Sequence, residues 1–333
     1  MSRRVLITGI TGQDGGYLAE RLLADGDEVV GTVRRADGAL AAAGLGHLEG
    51  RVELLEADLL DGGSIRRAVV DAGAEEIYHL AAPTFVPDSW RDPTEVTTAV
   101  AVGTATVLAA AGELRGDVRV LVASSSEIFG DAGVSPQAED APKRPRSPYG
   151  VAKLAAHGLV GTLRAHHGRF LVSAITFNHE SPRRPERFLP RKVTAGVAAI
   201  AAGREQTLTL GDQAAVRDWS HARDIVDGMV LALRHDEPGD YVLASGIPHT
   251  VGDLVDAAFA AAGVERIVTG PDGVPRDRVV VDPRFVRPPE QWPPVGDPSR
   301  AIETLGWRPQ VTFDDLVAEM VAADLERLGV ERA

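Results

Sequence analysis

Apolar positions along the chain fall into two periods. Short apolar runs at 5–7, 28–33, 52–56, 76–80, 118–123 and 171–177 have the length of strands, and residues 17–23, 94–114 and 148–166 carry apolar side chains at helical spacing. The run at 118–123 has the near-continuous apolar character of a strand covered on both faces, as in parallel sheets. Strand and helix alternate up to residue 177 with no internal repeat or low-complexity linker, which predicts an α/β fold on a doubly wound parallel sheet. Beyond that point the pattern loosens. A polar, basic connection (177–192) leads to a helix at 193–202. Amphipathic helices are predicted at 250–262 and 313–328, and the proline-rich stretch 281–298 between them reads as an irregular loop. The second half is expected to form a smaller, discontinuous lobe over the sheet edge rather than a separately linked domain.

Composition narrows the partners more than the fold. The 333 residues suffice for one large domain or two smaller ones. With 35 basic and 48 acidic side chains the formal charge is -13, which argues against a general binder of nucleic acid or anionic membranes. The absence of cysteine excludes disulfides and thiolate metal sites. His79, His179 and His221 lie in unrelated segments without paired-ligand spacing, so no metal is expected. Neither a signal-peptide core nor an apolar run of about eighteen residues stands out, and the expected compartment is the cytoplasm.

The candidate chemistry collects at the predicted C-terminal strand ends. After the first strand come Gly9, Gly12 and Gly15 and then a helix; this is either a plain turn or a loop whose backbone approaches a pyrophosphate at a helix N-terminus. The second strand ends at Arg34 and Arg35, where an acidic residue would select NAD and an arginine accommodates the extra phosphate of NADP. NADP is therefore expected, although Asp37 is an unfavourable neighbour for a phosphate. Asp58 after the third strand either accepts from an adenine amino group or caps a helix. Ala81 and Ala82 after the fourth strand are small enough for a cofactor to pass. Ser125 and Glu127, two apart after the fifth strand, point to one side in extended backbone. Ser147 and Pro148 signal a helix start, which places Tyr149 and Lys153 on one helical face. An ammonium there is expected to lower the phenol's pKa, and a three-unit shift corresponds to roughly 4 kcal/mol. Arg183, Arg184, Arg187, Arg191, Lys192, Arg217 and Arg287 form a basic series suited to a diphosphate.

Taken together, these segments resemble the extended short-chain dehydrogenase/reductase family, and within it the GDP-mannose 4,6-dehydratase branch. The resemblance rests on TGITGQDGGYLAERLL (8–23), SSSEIFG (124–130), RSPYGVAKL (146–154), FNHESPRR (177–184), LGDQAAVRDWSHARD (210–224) and VDPRFVRP (281–288), in family order over nearly the whole chain. It implies a Rossmann-type NADP-binding domain over residues 1–177 that carries the catalytic residues. A mainly nucleotide-sugar-binding lobe would follow over 178–333, with some segments returning to the first domain. It further implies that Thr11, Gln13, Asp14, Leu59 and Leu80 join Gly9, Gly12, Gly15, Arg34, Arg35, Asp58, Ala81 and Ala82 around NADP, with NAD as the alternative. The implied reaction is an internal redox dehydration. Tyr149 would take the 4-hydroxyl proton, and Glu127 would remove the C5 proton and assist loss of the 6-hydroxyl. Ser125, where the branch usually has Thr, would bind the 4-oxygen, and Lys153 would tune Tyr149 and hold the nicotinamide ribose. Thr84, Ser89, Asn178, Lys192, Arg217, Arg287 and Glu290 would bind the GDP-sugar. Two departures stand out. His79 and Pro83 replace the family's usual Asn and Gln in a loop near substrate and cofactor, a departure that bears on sugar choice or reaction outcome. Ala36, Asp37 and Gly38 replace serines in a loop that supports a tetramer around NADP. A homo-oligomer, dimer or tetramer, remains the expectation. The alternatives are a GDP-sugar epimerase or reductase, and a non-catalytic NADP-binding sensor.

Overall fold

The computed structural model describes residues 2–285 and 291–330. The first half runs β1 (Arg4–Thr8), α1 (Gln13–Ala24), β2 (Glu28–Val33), α2 (Ala39–Ala42), β3 (Glu53–Glu56), α3 (Gly62–Ala72), β4 (Glu76–His79), α4 (Val86–Arg91), α5 (Pro93–Thr97), α6 (Gly103–Ala111), β5 (Arg119–Ala123), α7 (Pro148–His167) and β6 (Leu171–Thr176). The second half follows as β7 (Asn178–Glu180), α8 (Leu189–Ala201), β8 (Leu208–Leu210), β9 (Val216–His221), α9 (Ala222–Arg234), β10 (Asp240–Leu243), β11 (Pro248–Thr250), α10 (Val251–Ala262), β12 (Ile267–Thr269), β13 (Pro275–Asp277), β14 (Val279–Val281), α11 (Ser299–Leu305) and α12 (Phe313–Arg327).

Seven parallel strands form the central sheet in the order β3-β2-β1-β4-β5-β6-β10. The doubly wound parallel sheet expected from the alternation is present. Strand order reverses between β1 and β4, and the carboxyl ends of these two strands mark the switch point at which such sheets bind ligands. One apolar layer packs α1 and α9 on one face, with Leu18, Leu22, Ile225 and Met229 fully buried; Ile65, Val107, Leu108 and Val160 line the other face. The seventh strand, β10, was not expected: it is four residues long, opens on Asp240 and lies far beyond the regular alternation.

The predicted helix at 94–114 is α5 and α6 joined through a wide π-helical turn at Thr98–Val102. This continuous stretch, Pro93–Ala111, is long and apolar enough to cross a bilayer, yet half of it is buried, against α3 and α7. The lobe has its own core, in which α8, α10 and α12 bring together Val197, Phe259, Val317 and Met320. Asp218 ties it to the sheet edge: its carboxylate accepts from Ser245 N (2.9 Å), Ser245 Oγ (2.5 Å), Gly246 N (2.9 Å) and Gly296 N (3.1 Å).

Candidate active site

The glycine turn is built for close approach. Gly9 adopts φ +75°, and a β-carbon there would meet the Ala81 Cα at 2.9 Å; one at Gly15 would lie 2.3 Å from the Gly9 carbonyl oxygen. Gly12 is the N-cap of α1, and no side chain caps that helix, so its first amides face the crevice end without a protein acceptor from the cap residue. An uncapped helix start over a glycine cradle fits a pyrophosphate.

Gln13 and Asp14 behind the turn are fastened to β7. Gln13 Nε2 donates to His179 O (3.0 Å), Ser181 Oγ donates to Gln13 Oε1 (2.8 Å), and His179 Nε2 lies 2.9 Å from Asp14 Oδ2 while its Nδ1 lies 2.7 Å from Phe177 O. Burial alone would raise the Asp14 pKa, but His179 beside it and Arg184 nearby outweigh that and hold it at about 2. His179 is pushed up: burial opposes its charge, and Asp14 restores it. The phosphate loop and the first lobe strand are therefore joined by an ion pair across 165 residues of sequence.

Ser125, Glu127, Tyr149 and Lys153 converge at the end of β5. Ser125 caps a short 3-10 turn, its Oγ accepting from Glu127 N (3.2 Å). Glu127 Oε2 accepts from Ser147 Oγ (2.9 Å). Tyr149 is 5% and Lys153 6% exposed. Lys153 Nζ donates to Ala123 O (2.6 Å) and stands 5.8 Å from the Tyr149 ring centroid. The expected lowering of the phenol's pKa is corrected here. Burial pushes Tyr149 up; the hydrogen bond with Ser125 works against this and Glu127 reinforces it. Burial also pushes the Lys153 ammonium down to about 8. Desolvation of both groups outweighs the pairing that the i,i+4 spacing suggested. Next to them in the chain, Ser124 Oγ is buried with no hydrogen-bond partner among the described residues.

His79 does not face the pocket as its position in the sequence suggested. It is 3% exposed, and burial first, then the Lys153 charge, holds its pKa near 3. Thr104 Oγ1 donates to Val100 O (2.6 Å), so it accepts from His79 Nε2 (3.2 Å); Nδ1 then accepts from Thr8 Oγ1 (2.8 Å), which receives Leu80 N (3.1 Å) and Ala81 N (3.2 Å). A neutral imidazole therefore locks the β4 end against β1, placing Leu80, Ala81 and, next in the chain, Ala82 beside the glycine turn.

Around the rim, Arg34 and Arg35 are exposed at the end of β2, where Glu56 Oε1 accepts from Ala36 N (2.9 Å). Asp58 Oδ1 accepts from Leu60 N (2.9 Å) within its own turn, and the helix cap expected of it is supplied instead by Asp61, which caps α3; Leu59 packs toward Gly103. Thr11 lines the glycine loop and Thr84 is exposed after β4. Ser89 is drawn inward instead: 1% exposed, it donates to Val86 O (2.7 Å). Asn178 opens β7 beside Trp219 of β9, and Arg217 follows the same edge, facing His249 of β11. Lys192 on α8 is close enough to Asp282 to lower that carboxyl's pKa, after the hydrogen bonds from Arg284. Arg287 and Glu290 lie outside the described residues. The rest of the basic series bonds to protein carboxylates. Arg183 pairs with Glu20 (2.7 Å), Arg184 with Glu180 (2.6 Å), Arg187 with Asp88 (3.2 Å) and Arg191 with Asp324 (2.6 Å). A free diphosphate clamp at these four positions is not what the structure holds.

The sequence model of the family described as GDP-mannose 4,6 dehydratase matches residues 6–320. GDP-mannose 4,6 dehydratase 2 of Caenorhabditis elegans is 39% identical over 340 residues, covering 96% of this chain and 88% of that one. GDP-mannose 4,6 dehydratase of Homo sapiens is 41% identical over 339 residues, covering 96% and 91%. Among solved structures, a dTDP-glucose 4,6-dehydratase from Streptomyces venezuelae with NAD and TYD bound superposes with a TM-score of 0.81 at 26% identity, over 98% of both chains.

Proposed function

Because the chain belongs to the GDP-mannose 4,6-dehydratase family, we propose that it turns GDP-mannose into the 4-keto-6-deoxy sugar by internal oxidation, loss of water and re-reduction. The activity is that of a lyase, and its cofactor is NADP. Bound NADP supplies a redox couple that holds the hydride between the sugar's C4 and C6 within one turnover, so none is consumed.

The observation that carries this reading is the convergence of Glu127 with Ser125, Tyr149 and Lys153 at one strand end. We assign Tyr149 the proton of the 4-hydroxyl, with Ser125 on the same oxygen. Oxidation at C4 makes the C5 proton acidic; Glu127 removes it and returns it to the departing 6-hydroxyl. A 4-epimerase has no use for a base at C5. Residues 1–177 are assigned to cofactor binding and catalysis, and Asn178, Lys192 and Arg217 in 178–333 to the nucleotide sugar. We infer a homo-oligomer, a reading supported by the exposed apolar side chains of Trp90 (65%) on α4, Val102 (55%) in the π-helical turn and Val151 (54%) on α7.

Incubation with GDP-mannose and a trace of NADP should give a product lighter by one water with no net cofactor reduction. Unchanged mass with altered stereochemistry would indicate an epimerase instead, and stoichiometric use of reduced cofactor a reductase. Arg34 and Arg35 are assigned the extra phosphate of NADP, two cations with no carboxylate partner among the described residues. Replacing both by Ala should weaken NADP roughly ten- to a hundredfold and leave NAD nearly unchanged, since charged hydrogen bonds contribute about 1.5–3 kcal/mol. Titration with the reduced forms, followed by their nicotinamide fluorescence, measures both, and equal losses would remove the assignment.

A further inference from the structure

We propose that Ser147 is a positioning residue for Glu127, holding the base in register with Tyr149 throughout the reaction; this rests on the assignment of Glu127 as the C5 base. Ser147 is 6% exposed and its hydroxyl does two things at once. It accepts from Gly150 N (3.0 Å), capping α7, and donates to Glu127 Oε2 (2.9 Å). Glu127 Oε1 has no partner among the described residues, so the two oxygens are unequal. One is fixed to the start of α7, and the other is left for the substrate.

The attachment extends to the backbone. A β-carbon at Gly150 would lie 2.6 Å from the Glu127 carbonyl oxygen and 3.2 Å from Ser147 Oγ, so the 3-10 turn carrying Glu127 seats directly on the first turn of α7. Tyr149 lies between Ser147 and Gly150 in the chain. The base and the phenol, 22 positions apart, are thereby referred to the same helical turn, and Pro148 at the first helical position stiffens it. A hydroxyl that only capped the helix would need no carboxylate acceptor; one that only held the carboxylate would need no amide donor.

The two roles separate experimentally, because Gly substitutes for Ser at an N-cap with little loss of stability whereas Ala does not. Ser147→Gly and Ser147→Ala both delete the hydrogen bond to Glu127 and should lower kcat alike, roughly ten- to a hundredfold, with KM and NADP binding retained. In single turnovers both should accumulate the absorbance of reduced nicotinamide, because C4 oxidation proceeds while C5 deprotonation lags. Their melting temperatures should differ, Ser147→Ala being the lower. A kcat loss confined to Ser147→Ala and tracking its melting temperature would reduce Ser147 to a helix cap and overturn the proposal. Wild-type kcat in both variants, with Glu127→Gln inactive, would overturn it too and leave the base assignment standing. An active Glu127→Gln would instead remove the base assignment, and the proposal with it.

Discussion

Glu127→Gln should lower the rate of water loss by about 10²–10⁴, the usual contribution of a positioned general base, and leave NADP binding unchanged. The amide is nearly isosteric and its oxygen can still accept from Ser147 Oγ, so the turn at Ser126–Ile128 keeps its seat on α7. Only proton transfer is lost. The variant should still oxidise C4, so mixing it with GDP-mannose should give a reduced-nicotinamide signal of up to one equivalent that decays slowly. Wild-type protein in D2O should place deuterium at C5 of the product; the variant should not exchange C5 of the substrate at all. Dehydration at the wild-type rate would exclude Glu127 from the chemistry.

What the sequence made legible is whatever depends on neighbours along the chain. The period of apolar positions marks the first six strands. Ser147 and Pro148 mark the start of α7, and the glycines mark the phosphate turn. What it concealed depends on partners brought together by the fold. The Asp14–His179 pair joins residues 165 apart and Arg191–Asp324 residues 133 apart, and no local pattern announces either. The basic series looked like a clamp because the carboxylates that engage Arg183, Arg187 and Arg191 come from α1, α4 and α12. His79 looked like a pocket residue because it adjoins the cofactor loop. Its hydrogen bonds to Thr8 and Thr104, which turn it inward, are contributed by β1 and α6. The same applies to the Tyr149–Lys153 pair: the spacing fixes the geometry, whereas the sign of the pKa shift is set by burial, which spacing does not report.

That sign leads to a second large effect, at Tyr149. In the protein alone, the first proton lost from the pair on raising the pH leaves Lys153, near pH 8, and not the phenol, whose pKa lies above its ordinary 10.0. A phenolate base at neutral pH therefore requires more positive charge than Arg184 nearby supplies, and oxidised nicotinamide carries one. All four tyrosines of the chain, Tyr17, Tyr78, Tyr149 and Tyr241, are pushed up by burial. The ultraviolet difference spectrum of the free protein should therefore show no phenolate at pH 8–9. Adding NADP should bring one in, and Tyr149→Phe should abolish it. The same variant should lose about 10²–10⁴ in turnover. Its block must precede that of Glu127→Gln, because without removal of the 4-hydroxyl proton no ketone forms to acidify C5. Tyr149→Phe should accordingly show neither reduced nicotinamide nor deuterium uptake at C5 in D2O. Reduced cofactor appearing in Tyr149→Phe at the wild-type rate would place the C4 proton elsewhere.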